Sequence, residues 1–233
     1  MTRPVPAVLL FVVVAFGVVT TGCTSVVEGA AVKAQSSVPA DNVPPLDESA
    51  LDGLLLSNRD LNKISGVELE SFYSSDEMND NSDLVSDVDC LGAVYPGEDA
   101  AYDGSEWTAV RDELLLEAGE DDDSRLLEQT LVLFDTPDDA VEFFEVSKAK
   151  WHECAQSEDI AVEDGPWVPD EVRDVNERII ALKAEVSGLL DGICQHAMGI
   201  VSNLVVEGFS CDAADNDDAQ KIAAQLIENA SDR

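Results

Sequence analysis

Ile193–Cys211 reads ICQHAMGIVSNLVVEGFSC, and its reading decides the fold. Ile193 to Val201 and Leu204 to Cys211 are two apolar, partly β-branched runs separated only by Ser202-Asn203, the pattern of two antiparallel strands joined by a two-residue hairpin turn. In such a hairpin every cross-strand pair has residue numbers that add to 405, and 194 and 211 do so. Counting outward from the hydrogen-bonded pair Val201/Leu204, Cys194/Cys211 falls on a non-hydrogen-bonded pair, where the Cα atoms approach most closely and a disulfide fits.

The chain has five cysteines. Cys23 stands apart, because it follows Arg3, an apolar run from Val5 to Val19, and the small residues Thr20-Thr21-Gly22. A positive start, a short apolar stretch and a small-residue cleavage site read as an export signal, since a bilayer-spanning helix needs about 20 apolar residues. Gly22-Cys23 resembles the bacterial lipobox, with Thr20 where Leu or Val is usual, so residues 1–22 are expected to be a lipoprotein signal peptide and Cys23 the lipidated N-terminus. Ordinary secretion or an uncleaved anchor is the alternative. In an oxidising compartment the remaining four cysteines form two disulfides. With Cys194–Cys211 assigned to the hairpin, the second is Cys90–Cys154.

Residues 24–51 lack sustained periodicity and are rich in Ala, Ser, Val and Pro, as expected of a tether, which leaves 52–233 as one domain. Ser57-Asn58-Arg59-Asp60 has the form of a capping box and starts a short helix that Gly66 ends. Gln129 to Phe134 is a core strand, and Thr136-Pro137-Asp138-Asp139 caps the clearest helix of the chain. On that helix Ala140, Phe143, Phe144, Ser147, Trp151 and Cys154 recur at three- and four-residue steps and form a core stripe. Arg178 to Val186 is a strand leading into the hairpin, and Asp217 to Asn229 is a final amphipathic helix. Asn79 to Gly119 reads as mostly loop and short helix. The order of elements predicts an α+β fold, a single antiparallel sheet with helices packed against it.

Forty-nine acidic residues face thirteen basic ones, a net charge of −36. Such a surface repels phosphate backbones, which excludes nucleic-acid binding, and it leaves a lipid anchor as the expected route to the membrane. Glu120–Asp123 and Asp215–Asp218 lack the alternating ligand spacing of a calcium loop and read as solvated acidic loops. No Cys-x-x-Cys occurs, so neither a metal nor a cofactor is expected. Nor is there a Gly-x-Ser-x-Gly, His-Glu-x-x-His, Walker or Gly-x-Gly-x-x-Gly motif, and only two histidines are present. His152 reads as an exposed helix residue. His196 shares a hairpin face with Met198, Glu207 and Phe209, with Glu207 as its diagonal neighbour, so an acid–base contact on the sheet is expected there. Nothing in these residues designates an enzyme.

Several blocks together resemble a known family. Leu54-Leu55-Leu56-Ser57, then Ser86–Pro96 (SDVDCLGAVYP), Tyr102 with Gly104, Trp107–Arg111 (WTAVR), Val132-Leu133-Phe134, Trp151-x-x-Cys154 and Cys194–Met198 (CQHAM) are similar to the PknH-like extracellular domain. The resemblance covers nearly all of Leu54 to Asn229. It implies an α+β fold with two disulfides and a large cleft for an unidentified ligand, and it supplies no catalytic residues. In that family the domain is the extracytoplasmic sensor of a mycobacterial Ser/Thr kinase and also occurs alone in actinobacterial lipoproteins. With its lipobox, this sequence resembles the second group. The segments Glu120–Asp123 and Ser157–Glu177 depart from the family pattern.

The expected function is therefore a sensor-type lipoprotein on the outer face of the cell membrane, binding a small molecule or cell-wall component. An envelope structural or protein-interaction lipoprotein is the alternative. Tyr95, Tyr102, Trp107 and Trp167 lie in irregular segments and are the candidate ligand-binding residues, because stacking rings suit sugars and lipid-like ligands. The aromatic helix is expected to be sealed from ligand by the Cys90–Val110 region, drawn over it by the Cys90–Cys154 bridge.

Overall fold

A computed structural model describes residues 42–119, 125–157, 160–163, 165–187 and 192–233. Nine strands form one sheet: β1 (Leu69–Ser75), β2 (Trp107–Glu117), β3 (Leu126–Phe134), β4 (Ala161–Val162), β5 (Gly165–Pro169), β6 (Arg173–Asn176), β7 (Ile179–Val186), β8 (Gly192–Val201) and β9 (Leu204–Asp212). Their order is β1-β2-β3-β9-β8-β7-β5-β4, with β6 also pairing to β7, and every pair is antiparallel. The hairpin register is the one its sequence demands: Val201 faces Leu204, His196 faces Phe209 and Cys194 faces Cys211. Both disulfides are present, Cys90–Cys154 and Cys194–Cys211, the latter with Cα atoms 4.0 Å apart.

Alternation along the strands sends successive side chains to opposite faces, and each face has its own helical cover. One face carries Val132, Phe134, Ile180, Leu182, Met198 and Val205 under helix α4 (Pro137–Cys154) and the short helices α2 (Leu91–Val94) and α3 (Asp99–Tyr102). The other carries Leu127, Leu131, Ala181, Ala197 and Val206 under α1 (Asn58–Ser65) and α5 (Asp218–Ser231). Helix α5 sits directly on the sheet because Gly208 lacks a side chain: a Cβ there would lie 2.4 Å from the Ala219 carbonyl oxygen. Caps fall where the sequence puts them. Ser57 and Thr136 accept from the amides of Asp60 and Asp139, Pro137 opens α4, and Gly66 closes α1 with a left-handed φ of 78°.

Three expectations need correction. The tether ends before residue 51, because 42–53 belong to the packed body: Leu51 is fully buried in a 3-10 turn, Glu48–Gly53. The buried turn residue Asn203 fixes this segment, accepting from the Leu46 amide at 2.7 Å and donating to the Leu46 and Phe134 carbonyls at 3.1 and 2.8 Å. Second, Asn79 to Gly119 is not mostly loop, since it contains the eleven-residue strand β2. Third, β1, β5 and β6 extend the sheet on either side beyond the strands the sequence announces. The expectations for Cys23 and for Glu120–Asp123 fall outside the described residues. Asp215 and Asp217 both pair with Lys183, which accounts for much of the second acidic cluster.

Candidate functional site

Residues 90–107 leave the Cys90 disulfide, turn through α2, pass Gly97 (φ 63°), turn again through α3 and Gly104 (φ 75°), and enter β2. Positive φ suits glycine at both bends. This segment and α4 stand as two walls over the sheet, joined at one end by Cys90–Cys154. Between them lies an open cleft of about 460 Å³, a size typical of small-molecule sites.

The floor is aromatic and apolar, with Tyr102, Phe143, Trp151 and Met198, and Glu207 reaches it from β9. Tyr102 stacks on Phe143 with ring centroids 4.1 Å apart, and Trp151 packs against the His196 ring at 4.4 Å. Beneath them Glu207, 1% exposed, is a carboxylate acceptor surrounded by donors. Tyr102 Oη donates to its Oε1 at 2.7 Å, the Gly97 amide donates to the same oxygen at 3.1 Å, and His196 Nε2 lies 2.7 Å from Oε2. His196 Nδ1 faces the Ala93 carbonyl at 3.3 Å. One buried carboxylate thus ties together α2, the Gly97 bend, α3 and the hairpin. Burial and the neighbouring Glu207 charge push the Tyr102 phenol far above its ordinary range, so it stays a donor.

A second buried acid group lies beside this one, on β2 and β3. Thr130 Oγ1 donates to Asp112, and Asn79 Nδ2 donates to Glu128 Oε1 at 3.1 Å and to the Pro96 carbonyl at 3.2 Å. Tyr73 Oη donates to Asn79 Oδ1, while the Asn79 amide donates to the Gly97 carbonyl at 2.8 Å. Burial first, and then the adjacent Asp112 charge, hold the Glu128 carboxyl well above the usual range. Asp112 is also raised by burial, while hydrogen bonds from Thr130 and Glu128 oppose that shift. Both carboxyls thus hold a proton more readily than exposed ones, and Asp112 Oδ2 is buried without a hydrogen-bond partner among the described residues. Nearer the cleft, burial raises Glu98, against the opposing hydrogen bonds from Asn81.

The four aromatic candidates separate. Tyr102 and Tyr95 both line the cleft, but Tyr102 is only 1% exposed and belongs to its floor rather than to an outward layer. Tyr95 is half-buried, packs edge-on to Phe209 at 6.1 Å, and burial pushes its phenol up to about 12. Trp107 begins β2 opposite Phe134 and packs against the core outside the cleft. Trp167, 4% exposed on β5, packs in the core on the far side of Tyr95 near the Cys194–Cys211 bridge. The aromatic helix is not sealed. Phe144 and Trp151 are buried as expected, but α4 forms a wall of the cleft through Glu142, Phe143, Val146 and Lys150. The signal was available, since Asp139, Glu142, Phe143, Val146, Ser147 and Lys150 form a second stripe at three- and four-residue steps beside the core stripe.

Comparison with known proteins agrees with this architecture. Residues 46–229 match the family described as the PknH-like extracellular domain. The Serine/threonine-protein kinases PknH of Mycobacterium bovis and Mycobacterium tuberculosis are each 27% identical to this chain over 194 residues, or 82% of it. The chain spans about a third of the length of these curated relatives, 32% and 31% respectively. The crystal structure of the extracellular domain of PknH from Mycobacterium tuberculosis superposes with a TM-score of 0.73 at 26% identity, covering 82% of this chain and 100% of that one.

Proposed function

Because this chain belongs to the PknH-like extracellular domain family, we propose that it is a sensor-type ligand-binding lipoprotein of the cell envelope, anchored through Cys23. The cleft between α4 and residues 90–107 is the observation that carries the binding part. It is concave, about 460 Å³, floored by rings and held open by a disulfide and a buried hydrogen-bond network. Fixed walls around an apolar floor favour capture of a small molecule, because little conformational freedom is lost on binding.

The matched part of the kinases is their extracellular domain, so binding rather than catalysis is the reading adopted. Anchoring rests on the lipobox-like Gly22-Cys23 that follows the apolar run. Native mass spectrometry of the protein purified from its own membrane tests both parts. It should reveal a lipidated N-terminal Cys23 and a co-purifying molecule that is lost when Val146→Trp fills the cleft. An N-terminus upstream of Cys23 without lipid mass overturns the anchor, and a bound molecule indifferent to Val146→Trp overturns the site.

A further inference from the structure

The cleft has a chemical bias that its volume does not describe. Its outer walls carry Asp89, Asp103, Glu106 and Glu142, all exposed at the rim. Elsewhere on the protein some acids meet bases: Arg111 holds Glu48 and Asp52, Arg125 holds Asp212, Lys148 holds Asp174, and Lys183 holds Asp215 and Asp217. Among the described residues no base forms an ion pair with any of the four rim carboxylates. Lys150 is the one basic side chain of the lining; its Nζ lies 2.9 Å from Glu153 Oε2 and it also feels the charge of Asp89, which leaves Asp103, Glu106 and Glu142 as the rim acids with no base near them among the described residues. Glu207 on the floor is buried and accepts from Tyr102 and the Gly97 amide, so the exposed charge of the cleft lies at the mouth.

Below that mouth the surface turns apolar. Val146 is 64% exposed although it faces the cleft, and Phe143 lies one turn away on the same wall. Solvent-exposed apolar surface inside a concave site marks a place for a ligand. Carboxylates around a low-dielectric cleft focus negative potential into it.

Resting on the reading of this cleft as a ligand site, we propose that its ligand is a small organic cation, an amine or guanidinium with an apolar body. The cationic head meets Asp103, Glu106 and Glu142 at the rim, and the body lies against Phe143 and Val146. Anionic ligands, phosphorylated ones included, are disfavoured by the same carboxylates.

A matched probe series isolates the head group: phenethylamine, neutral 2-phenylethanol and anionic phenylacetate, with spermidine as a second cation, titrated by protein NMR against the full chain. The cations should bind and shift resonances of Phe143 and Val146. Glu106→Gln with Glu142→Gln should weaken them by roughly two- to fivefold per carboxylate. Glu70→Gln, an exposed acid on β1 outside the lining, should leave them unchanged. Equal or tighter cleft binding of 2-phenylethanol or phenylacetate overturns the cation assignment and leaves the cleft as a site. Loss of cation binding by Glu70→Gln equal to that of the rim variants also overturns it, as attraction to net charge alone. If no cation binds, the assignment fails. If, in addition, the molecule that co-purifies with the protein is indifferent to Val146→Trp, the ligand-site reading fails with it.

Discussion

Replacing Glu128 by Gln should make the domain more stable at neutral pH, and the gain should grow with pH. Glu128 lies on β3 between Leu114 of β2 and Phe209 of β9, 8% exposed, with its carboxyl against Asp112. Burial and the Asp112 charge raise its pKa, so the folded state keeps a proton that the unfolded chain loses above about pH 4.3. The sign follows from proton linkage. Where the folded state binds more protons than the unfolded one, stability falls as pH rises, by about 1.4 kcal/mol per pH unit for one group. The loss begins near the unfolded pKa and stops at the folded one. Gln keeps both contacts, since its amide can donate to Asp112 and its carbonyl can accept from Asn79, but it has no proton to lose. Glu128→Gln should therefore match the wild type near about pH 4.3 and exceed it increasingly as pH rises toward the folded-state pKa of Glu128. Glu98 and the net charge of −36 tilt both proteins alike, so the difference curve isolates Glu128. Urea unfolding followed by tryptophan fluorescence from pH 4.5 to pH 8 supplies that curve. A difference that stays flat with pH refutes the raised Glu128 carboxyl.

Phe144→Ala should cost about 3–5 kcal/mol in thermal or urea unfolding, because a fully buried ring is lost, whereas exposed Val146→Ala should stay within about 0.5 kcal/mol. Similar melts for the two would put the core stripe of α4 on the wrong side. Tyr102→Phe removes one donor from buried Glu207 and should destabilise by about 1–3 kcal/mol while leaving the Phe143 stack in place; a wild-type melting temperature would mean that water replaces the hydroxyl. Removing Cys90–Cys154, with a separation of 64 residues, should cost about 4 kcal/mol against about 3 for Cys194–Cys211, with a separation of 17, when the double-serine variants are compared by denaturant unfolding. The reverse order would refute loop entropy as the governing contribution.

The sequence was most legible where a local rule acts alone. Ser202-Asn203 between two apolar runs sets a register that carries Cys194 to Cys211 and places His196 diagonal to Glu207, with no other part of the chain needed. Thr136-Pro137 and Ser57 act equally locally, as caps. Strand β2 was hidden because WTAVRDELLLE interleaves Arg111, Asp112 and Glu113 with its apolar residues. Those charges are tolerated only through distant partners: Arg111 reaches Glu48 and Asp52, Asp112 meets Thr130, and Glu113 accepts from Gln129. The N-terminal boundary was hidden for the same reason, since residues 46–56 are fixed by Asn203 and Gln129, more than seventy positions away.

The cleft follows this pattern at a larger scale. Its walls were visible one at a time, the aromatic helix as a stripe and the SDVDCLGAVYP block as a resemblance, but a cavity is a property of the space between elements and has no periodicity of its own. Burial was the misleading guide. The rings expected to face ligand include Tyr102, which Glu207 draws to the floor, and Trp167, which the core absorbs. The cleft-facing surface of α4 is instead the side that patterning dismisses as solvent-facing: Glu142, Val146 and Lys150, acidic, apolar and basic in turn. A helix that buries one stripe in the sheet and lends the adjacent stripe to a cleft has two faces to satisfy. The departure from simple amphipathicity, an exposed valine between charged neighbours, is the residue-level trace of the second.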